Sequence, residues 1–146
     1  MIGRIGGAIV IAGAVAAVIA TFLPWLSVTA PFAGTVTESI MQGGGNDGPI
    51  LAAFAVIAAL LGVLIIVRGP AWWANIAAIL ALALAGAVAA YDLSNAQNSV
   101  PEFIRSTGLV SATVEVGVYV CAAGVLVGVF GAGMGFWPKG RAPAKA

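Results

Sequence analysis

The chain has 146 residues, of which 62% are hydrophobic and only 8% are charged, and its mean hydropathy is +1.11. A water-soluble domain carries roughly a quarter charged residues, so this composition excludes a soluble globular domain. The chain has no histidine and one cysteine, Cys121, which excludes an intramolecular disulfide and removes the commonest metal ligand. The sequence therefore predicts an integral membrane protein.

Four apolar segments are each long enough to cross a bilayer, which takes about 20 helical residues. They cover residues 5–26, 49–67, 72–91 and 111–136, and residues 137–146 form a basic tail. The first segment is longer than the apolar core of a signal peptide, so we expect it to remain as a span. These segments predict one all-α membrane domain over residues 1–146, a bundle of four transmembrane helices.

The charged residues divide between the two ends of this bundle. One end carries only bases, namely Arg4, Arg68, Lys139, Arg141 and Lys145. The other end carries one base, Arg105, and the acids Glu38, Asp47, Asp92, Glu102 and Glu115. Because cytoplasmic segments are enriched in lysine and arginine, we expect both termini to be cytoplasmic and both long loops to face outward.

The two outer loops carry weak signals for local structure. Residues 27–29 and 35–37 are β-prone and flank a turn at residues 31–34, a pattern that predicts a short hairpin lying on the membrane. In the second loop, Ser99 and Glu102 have the spacing of a capping box, with Pro101 near the helix start. This pattern predicts an interfacial helix of about two turns.

Aromatic and basic residues at the ends of the segments predict how the bundle is anchored. Tryptophan favours the membrane–water interface, where its ring is apolar and its N–H contacts water. The predicted interfacial anchors are Trp25, Trp72, Trp73, Trp137 and Arg68.

Two stripes of small residues predict close helix packing. The stripe on the fourth segment has alternating spacings of four and three residues and comprises Gly117, Cys121, Gly124, Gly128, Gly131 and Gly135. A stripe on the first segment comprises Gly3, Gly7, Val10, Ala14, Ala17 and Thr21. Small residues allow two helix backbones to touch. Either these two helices pack together inside the bundle, or one stripe faces outward and binds a partner or a second copy.

Glu115 is the one candidate ion or polar site. It is expected about one turn into the fourth span, and a carboxylate within lipid is usually functional. Two interpretations remain open: the carboxylate reaches the headgroup water and has a structural role, or it handles an ion or a proton.

Several kinds of membrane chemistry lack their residues in this chain. The first three spans contain no ionisable side chain, whereas proton-coupled carriers such as the small multidrug-resistance transporters require a carboxylate there. Quinone-linked disulfide enzymes need paired cysteines, and intramembrane proteases need serine with histidine, or paired aspartates. The sequence therefore predicts a protein that is not an enzyme and that has no catalytic, cofactor or metal site.

The layout resembles two groups of membrane proteins. Four spans, internal termini and Trp25 before a β-prone first outer loop resemble the claudin and peripheral-myelin-protein topology. The claudin loop signature also has two cysteines and a Trp-Gly-Leu-Trp motif, and this chain has neither. The Ala/Gly/Val-rich composition, with Leu23-Pro24-Trp25 and Asn46-Asp47-Gly48 at the loop ends, is similar to small four-span actinobacterial proteins without an assigned function. That similarity implies a bacterial inner (plasma) membrane.

These observations favour a non-enzymatic protein that acts through helix–helix contacts. We expect an accessory or scaffold subunit of a larger membrane complex, whose partners are membrane lipid and either other membrane-protein subunits or itself, and not nucleic acid. The alternative is a small oligomeric channel or transporter with Glu115 at its mouth. A third hypothesis is an outward receptor or adhesion surface formed by the loops.

Overall fold

A computed structural model describes residues 2–30, 34–41, 46–98 and 111–136 of the chain. These ranges contain four long α-helices and three short strands. The helices are α1 (Ile2–Ala20), α2 (Asp47–Arg68), α3 (Trp72–Asn98) and α4 (Val116–Gly133), and a 3₁₀ turn (Met134–Phe136) follows α4. The strands are β1 (Pro24–Ala30), β2 (Gly34–Ser39) and β3 (Ser111–Val114). The prediction of four helices long and apolar enough to cross a membrane is confirmed.

The four helices form a ring in which each helix packs against two neighbours. Helix α1 packs closely against α4 on one side and α2 on the other, and α3 packs against α2 and, less extensively, against α4. The short turn at Gly69 and Pro70 joins α2 to α3 as an antiparallel hairpin. Gly69 has a φ of 91°, a conformation that costs glycine little because it has no Cβ.

Small side chains fill most of the centre of the bundle, with Leu51, Ile65 and Leu82 as buried exceptions, and most other large apolar side chains cover its outside. Fully buried positions include Ala14, Ala17, Ala55 and Ala58, whereas Phe130 is 68% exposed. This inversion of the usual core is expected where lipid is the solvent, because small residues then permit close helix contact and large apolar residues are solvated by acyl chains.

A three-stranded antiparallel sheet covers the end of the bundle at which α1 and α3 end and α2 and α4 begin. The strand order is β2-β1-β3, and Val28 at the centre pairs with Val36 on one side and Ala112 on the other. The predicted β1–β2 hairpin is confirmed. The third strand, which comes from the second loop, was not predicted.

The predicted end of the first span at residue 26 is wrong, because α1 ends at Ala20. Thr21, Phe22 and Leu23 form a turn, in which the Thr21 hydroxyl donates a 2.7 Å hydrogen bond to the Val18 carbonyl. Pro24 has no N–H to continue the helix, and the β-prone residues after it pair with two other strands. The turn and the strand pairing together thus take six residues from the predicted span.

The predicted start of the fourth span at residue 111 is also wrong. Residues Ser111–Val114 form β3, and α4 begins at Val116. Helix α2 begins at Asp47, slightly before its predicted start at residue 49. Helix α3 continues to Asn98, well beyond its predicted end at residue 91. The predicted interfacial helix at residues 99–108, the anchor Trp137 and the tail at 137–146 lie outside the described residues.

The seam between α1 and α4 is a contact between two backbones. A Cβ built at Gly124 would lie 2.7 Å from the Gly13 carbonyl oxygen and 3.0 Å from the Ala17 nitrogen. A Cβ at Gly13 would overlap the Gly124 carbonyl and the backbone of Gly128. Because these neighbours are backbone atoms of a helix, a larger side chain on either helix must separate the two helices.

We predict that Gly13→Ala destabilises the fold by about 1–3 kcal/mol, the usual cost of overpacking. Gly133→Ala is the matched control, because a Cβ there meets nothing within 4 Å, and we expect it to be neutral or slightly stabilising. Denaturant unfolding of both variants in detergent micelles measures the difference. Equal stability of the two variants would contradict backbone contact at the seam.

Candidate functional site

The predicted stripe on α4 lies inside the protein. Gly117, Cys121, Gly124, Gly128 and Gly131 are buried, and Gly135 is half-buried. Its members contact different neighbours. Gly124 and Gly131 contact α1, Gly128 also contacts Leu82 of α3, Gly117 contacts Trp25 and Gly135 contacts Asn75. These glycines are therefore not available to a partner in this fold.

The predicted stripe on α1 faces two helices, because Ala17 contacts Gly124 of α4 as expected while the glycines of the stripe contact α2 and its turn. A Cβ at Gly7 would lie 2.9 Å from the Gly62 carbonyl oxygen of α2, and Gly3 contacts Pro70 in the α2–α3 turn. Val10, Ala14, Ala17 and Thr21 are buried. The two glycines of this stripe thus hold α1 against α2 and its turn rather than against α4.

The α1 glycines that contact α4 are Gly6 and Gly13, which the sequence analysis did not select. Gly6 contacts Gly131, and Gly13 contacts Gly124. Gly6 and Gly13 are seven residues apart on α1, and Gly124 and Gly131 are seven residues apart on α4. Because the two helices are antiparallel, both contacts form at the same time. The matched spacing was the signal in the sequence that could have identified this register.

Trp25 connects the sheet to the bundle. Its side chain is only 4% exposed, and its indole N–H donates a hydrogen bond to the Ala20 carbonyl at the end of α1. The ring lies against Gly117, where any Cβ would overlap it. The backbone N–H of Glu115 donates to the Trp25 carbonyl at 3.0 Å. The prediction that the Trp25 N–H contacts water at the membrane surface is therefore wrong.

Glu115 lies before α4 rather than one turn into it, so that prediction is also wrong. Its backbone is extended, with φ −100° and ψ 177°, and it occupies the N-cap position of the helix. The Thr113 hydroxyl donates a 3.4 Å hydrogen bond to its carboxylate. Because β3 takes residues 111–114, the carboxylate lies at the junction of sheet and bundle instead of within the apolar helix.

Exposed aromatic side chains form one band near each end of the bundle. Trp72, Trp73 and Phe136 are exposed at the end with the α2–α3 turn, together with Arg68. Phe22, Tyr91 and Tyr119 are exposed at the sheet end. Along α3, the 18 residues from Trp73 to Tyr91 correspond to about 27 Å at 1.5 Å per residue, close to the roughly 30 Å of a hydrocarbon core.

The described charges are as unevenly distributed as the sequence indicates. Arg4 and Arg68 lie at the end with the α2–α3 turn, and every described carboxylate lies at the sheet end: Glu38, Asp47, Asp92 and Glu115. The carboxyl groups of Asp92 of α3 and Asp47 of α2 are close neighbours. Nothing in the local sequence indicates this proximity, since the two residues are distant in the chain.

Asn75 is a buried polar residue that the sequence analysis missed. It is 1% exposed, its carboxamide contacts Gly135, and its Nδ2 has no hydrogen-bond acceptor among the described residues. Residue 135 must be small because any Cβ there would overlap the amide. Asn75 lies in the first turn of α3, and no sequence pattern marks it, because its burial depends on contact with the end of α4.

The surface of the bundle has an apolar groove between two helices. A groove of about 350 Å³ lies between α3 and α4, lined by residues that include Gly86, Ala89, Ala90, Val118, Cys121 and Leu126. Such a groove suits an acyl chain or an apolar side chain. Among the described residues, no three side chains of the metal-binding types come together. The geometry therefore offers surfaces for contact.

Comparison of the chain with known protein families, curated protein sequences and solved structures found no match. The similarity to actinobacterial four-span proteins and to the claudin topology therefore stays a prediction, and function has to be argued from this geometry.

We predict that Trp25→Phe lowers the free energy of unfolding by about 1 kcal/mol, the net value of one hydrogen bond. The ring is retained against Gly117, and Leu23 also donates to the Ala20 carbonyl at 3.2 Å, so the carbonyl keeps one partner. Trp73→Phe, at an exposed position, is the control and should change stability less. Equal losses in denaturant unfolding would contradict the role of the indole N–H.

We predict that Asp92→Asn raises the melting temperature at neutral pH by about 2 °C or more. An amide can donate to the Asp47 carboxylate, and the substitution removes the repulsion between two neighbouring acids. Glu38→Gln removes a charge from the same end at an exposed site and should have a smaller effect in the same thermal scan. A lower melting temperature for Asp92→Asn would show that the acid itself stabilises the contact.

Proposed function

We propose that this chain is a multi-pass membrane protein that acts without catalysis, as an accessory or scaffold subunit of a larger membrane complex. The observation that carries the proposal has two parts. Small residues of the bundle are used in contacts between its own helices, and Trp25 attaches the bundle to a sheet whose strand β2 is exposed. Gly6, Gly13, Gly124 and Gly131 are used within the bundle, while β2 is exposed at every position from Gly34 to Glu38. The protein thus offers a fixed surface at one end of the bundle.

Insertion in a membrane is supported by three independent features of the structure. Four helices have the length and hydropathy of spans, large apolar side chains cover their outer faces, and the aromatic bands are about 27 Å apart along α3. The basic end of the bundle carries Arg4, Arg68 and the turn between α2 and α3. By the positive-inside rule this end, with both termini, is cytoplasmic, and a bacterial plasma membrane is part of the proposal.

The position of Glu115 disfavours the alternative of a small oligomeric channel or transporter. A pore or proton path requires a polar group within the apolar segment, and Glu115 instead lies at the N-cap position of α4, beside the sheet. Among the described residues, the interior of the ring is filled by glycine and alanine contacts together with buried apolar side chains such as Leu51 and Leu82. A pore would have to form between copies, along faces that are apolar.

We predict that the full chain, carrying a C-terminal tag and extracted in a gentle detergent, is recovered with other membrane subunits in fixed stoichiometry. Photo-crosslinking groups at Val36 in the sheet and at Leu84 on α3 then locate the contact, and mass spectrometry identifies what is bound. Recovery of a lone monomer that crosslinks only to lipid would reject the proposal. Recovery of the tagged chain alone, at a multiple of its 14.4 kDa, would favour the channel.

A further inference from the structure

The outer edge of β2 is a row of backbone hydrogen-bonding groups that no described residue covers. The sheet order is β2-β1-β3, so β2 is bonded to β1 on one side only. Ser27 of β1 is buried at 5% exposure, whereas its partner Thr37 of β2 is exposed. Strand β2 therefore extends past the bundle, with both faces and one edge open.

This edge lacks most of the devices that keep edge strands from pairing. Such strands are usually protected by charged side chains, above all lysine, by proline, by a bulge or by being very short. Residues Gly34–Ser39 contain neither lysine nor proline and one charged side chain, Glu38, and the irregularity in the β1–β2 register lies opposite Glu38 and Ser39, so that Gly34 to Thr37 pair regularly. Thr35, Val36 and Thr37 favour extended structure. The chemistry of the edge therefore selects an extended strand as its occupant.

The negative charge of the sheet end determines which kind of strand can bind to the edge. All four described carboxylates lie there, with Glu38 on β2 itself, and no described base lies at that end. A second copy would bring two acidic ends together, and repulsion between like charges disfavours that arrangement. A strand with lysine or arginine side chains gains attraction to the same groups. Charge complementarity thus favours a basic segment of another protein over self-association.

We propose that β2 is a docking edge for a cationic, extended peptide segment of a partner protein, which adds as a fourth strand beside it. Main-chain hydrogen bonds provide the affinity in this mode of recognition, and side chains provide the selectivity. The proposal rests on the proposed function as an accessory subunit, because it names the partner chemistry and the surface used.

The test uses the full chain in nanodiscs of zwitterionic lipid and two fluorescent peptides of about ten residues, a usual strand length. In one peptide lysine alternates with valine or threonine, and in the other glutamate replaces each lysine. We expect fluorescence anisotropy to show binding of the lysine peptide and at least tenfold weaker binding of the glutamate peptide. Raising the salt from about 0.1 M to about 1 M should weaken binding, since the Debye length falls from about 10 Å to about 3 Å.

A matched pair of variants separates charge from the loss of apolar surface. Val36 is 54% exposed, so neither Val36→Lys nor Val36→Glu should disturb folding, which circular dichroism and size-exclusion chromatography check. Both substitutions remove the same apolar side chain. We expect Val36→Lys to weaken binding of the lysine peptide about tenfold and Val36→Glu to leave it unchanged or tighter. Equal effects of the two variants would overturn the electrostatic selection.

Photo-crosslinking distinguishes the two edges of the sheet. A crosslinking group at Val36 should label the lysine peptide, and one at the exposed Thr113 of β3 should not. Labelling at Thr113 alone, or no labelling at either site, would overturn the proposal. The proposed function can still stand in that case, because partner subunits recovered with the tagged chain test it separately.

Discussion

Direct contact between the backbones of α1 and α4 is the constraint on which the bundle depends. In lipid, apolar side chains gain nothing by leaving their solvent, so helices associate mainly through close packing and polar contacts. Gly6 against Gly131 and Gly13 against Gly124 provide that packing at two levels of the seam. Gly7 against Gly62 repeats it on the opposite side of α1. Most of the large apolar residues are left on the outer faces of the helices.

The same seam determines where the sheet can form. Because α1 and α4 are antiparallel and in contact, the end of α1 and the start of α4 lie side by side, and so do the loops attached to them. Trp25 contacts both, through the Ala20 carbonyl and Gly117. Strands β1 and β3 then pair although they are about 80 residues apart in the chain. The outer surface is therefore an extension of the helix packing, and its position follows the bundle.

The helices could be predicted from sequence because long apolar segments are a local property. The segment ends were less predictable. Residues 21–26 and 111–114 are apolar enough to continue a helix, and the strand structure of residues 24–26 and 111–114 depends on pairing between distant loops. The register of α1 was ambiguous, because glycines at positions 3, 6, 7 and 13 suit two faces of one helix. The positions of Trp25, Asn75 and Asp92 follow from tertiary contacts alone.

The sides and the two ends of the bundle differ in their exposed groups, and this difference indicates where selective binding can occur. The sides of the bundle present leucine, valine and phenylalanine to their surroundings, and these resemble lipid too closely to discriminate strongly among partners. The end with Arg4 and Arg68 presents basic and aromatic side chains among its described residues. Among the described residues, only the sheet end combines an open strand edge with carboxylates as its sole charged groups and a buried attachment through Trp25. The open backbone groups favour an extended strand, and the carboxylates favour a basic one. The two preferences together restrict the possible binding partners more than either does alone.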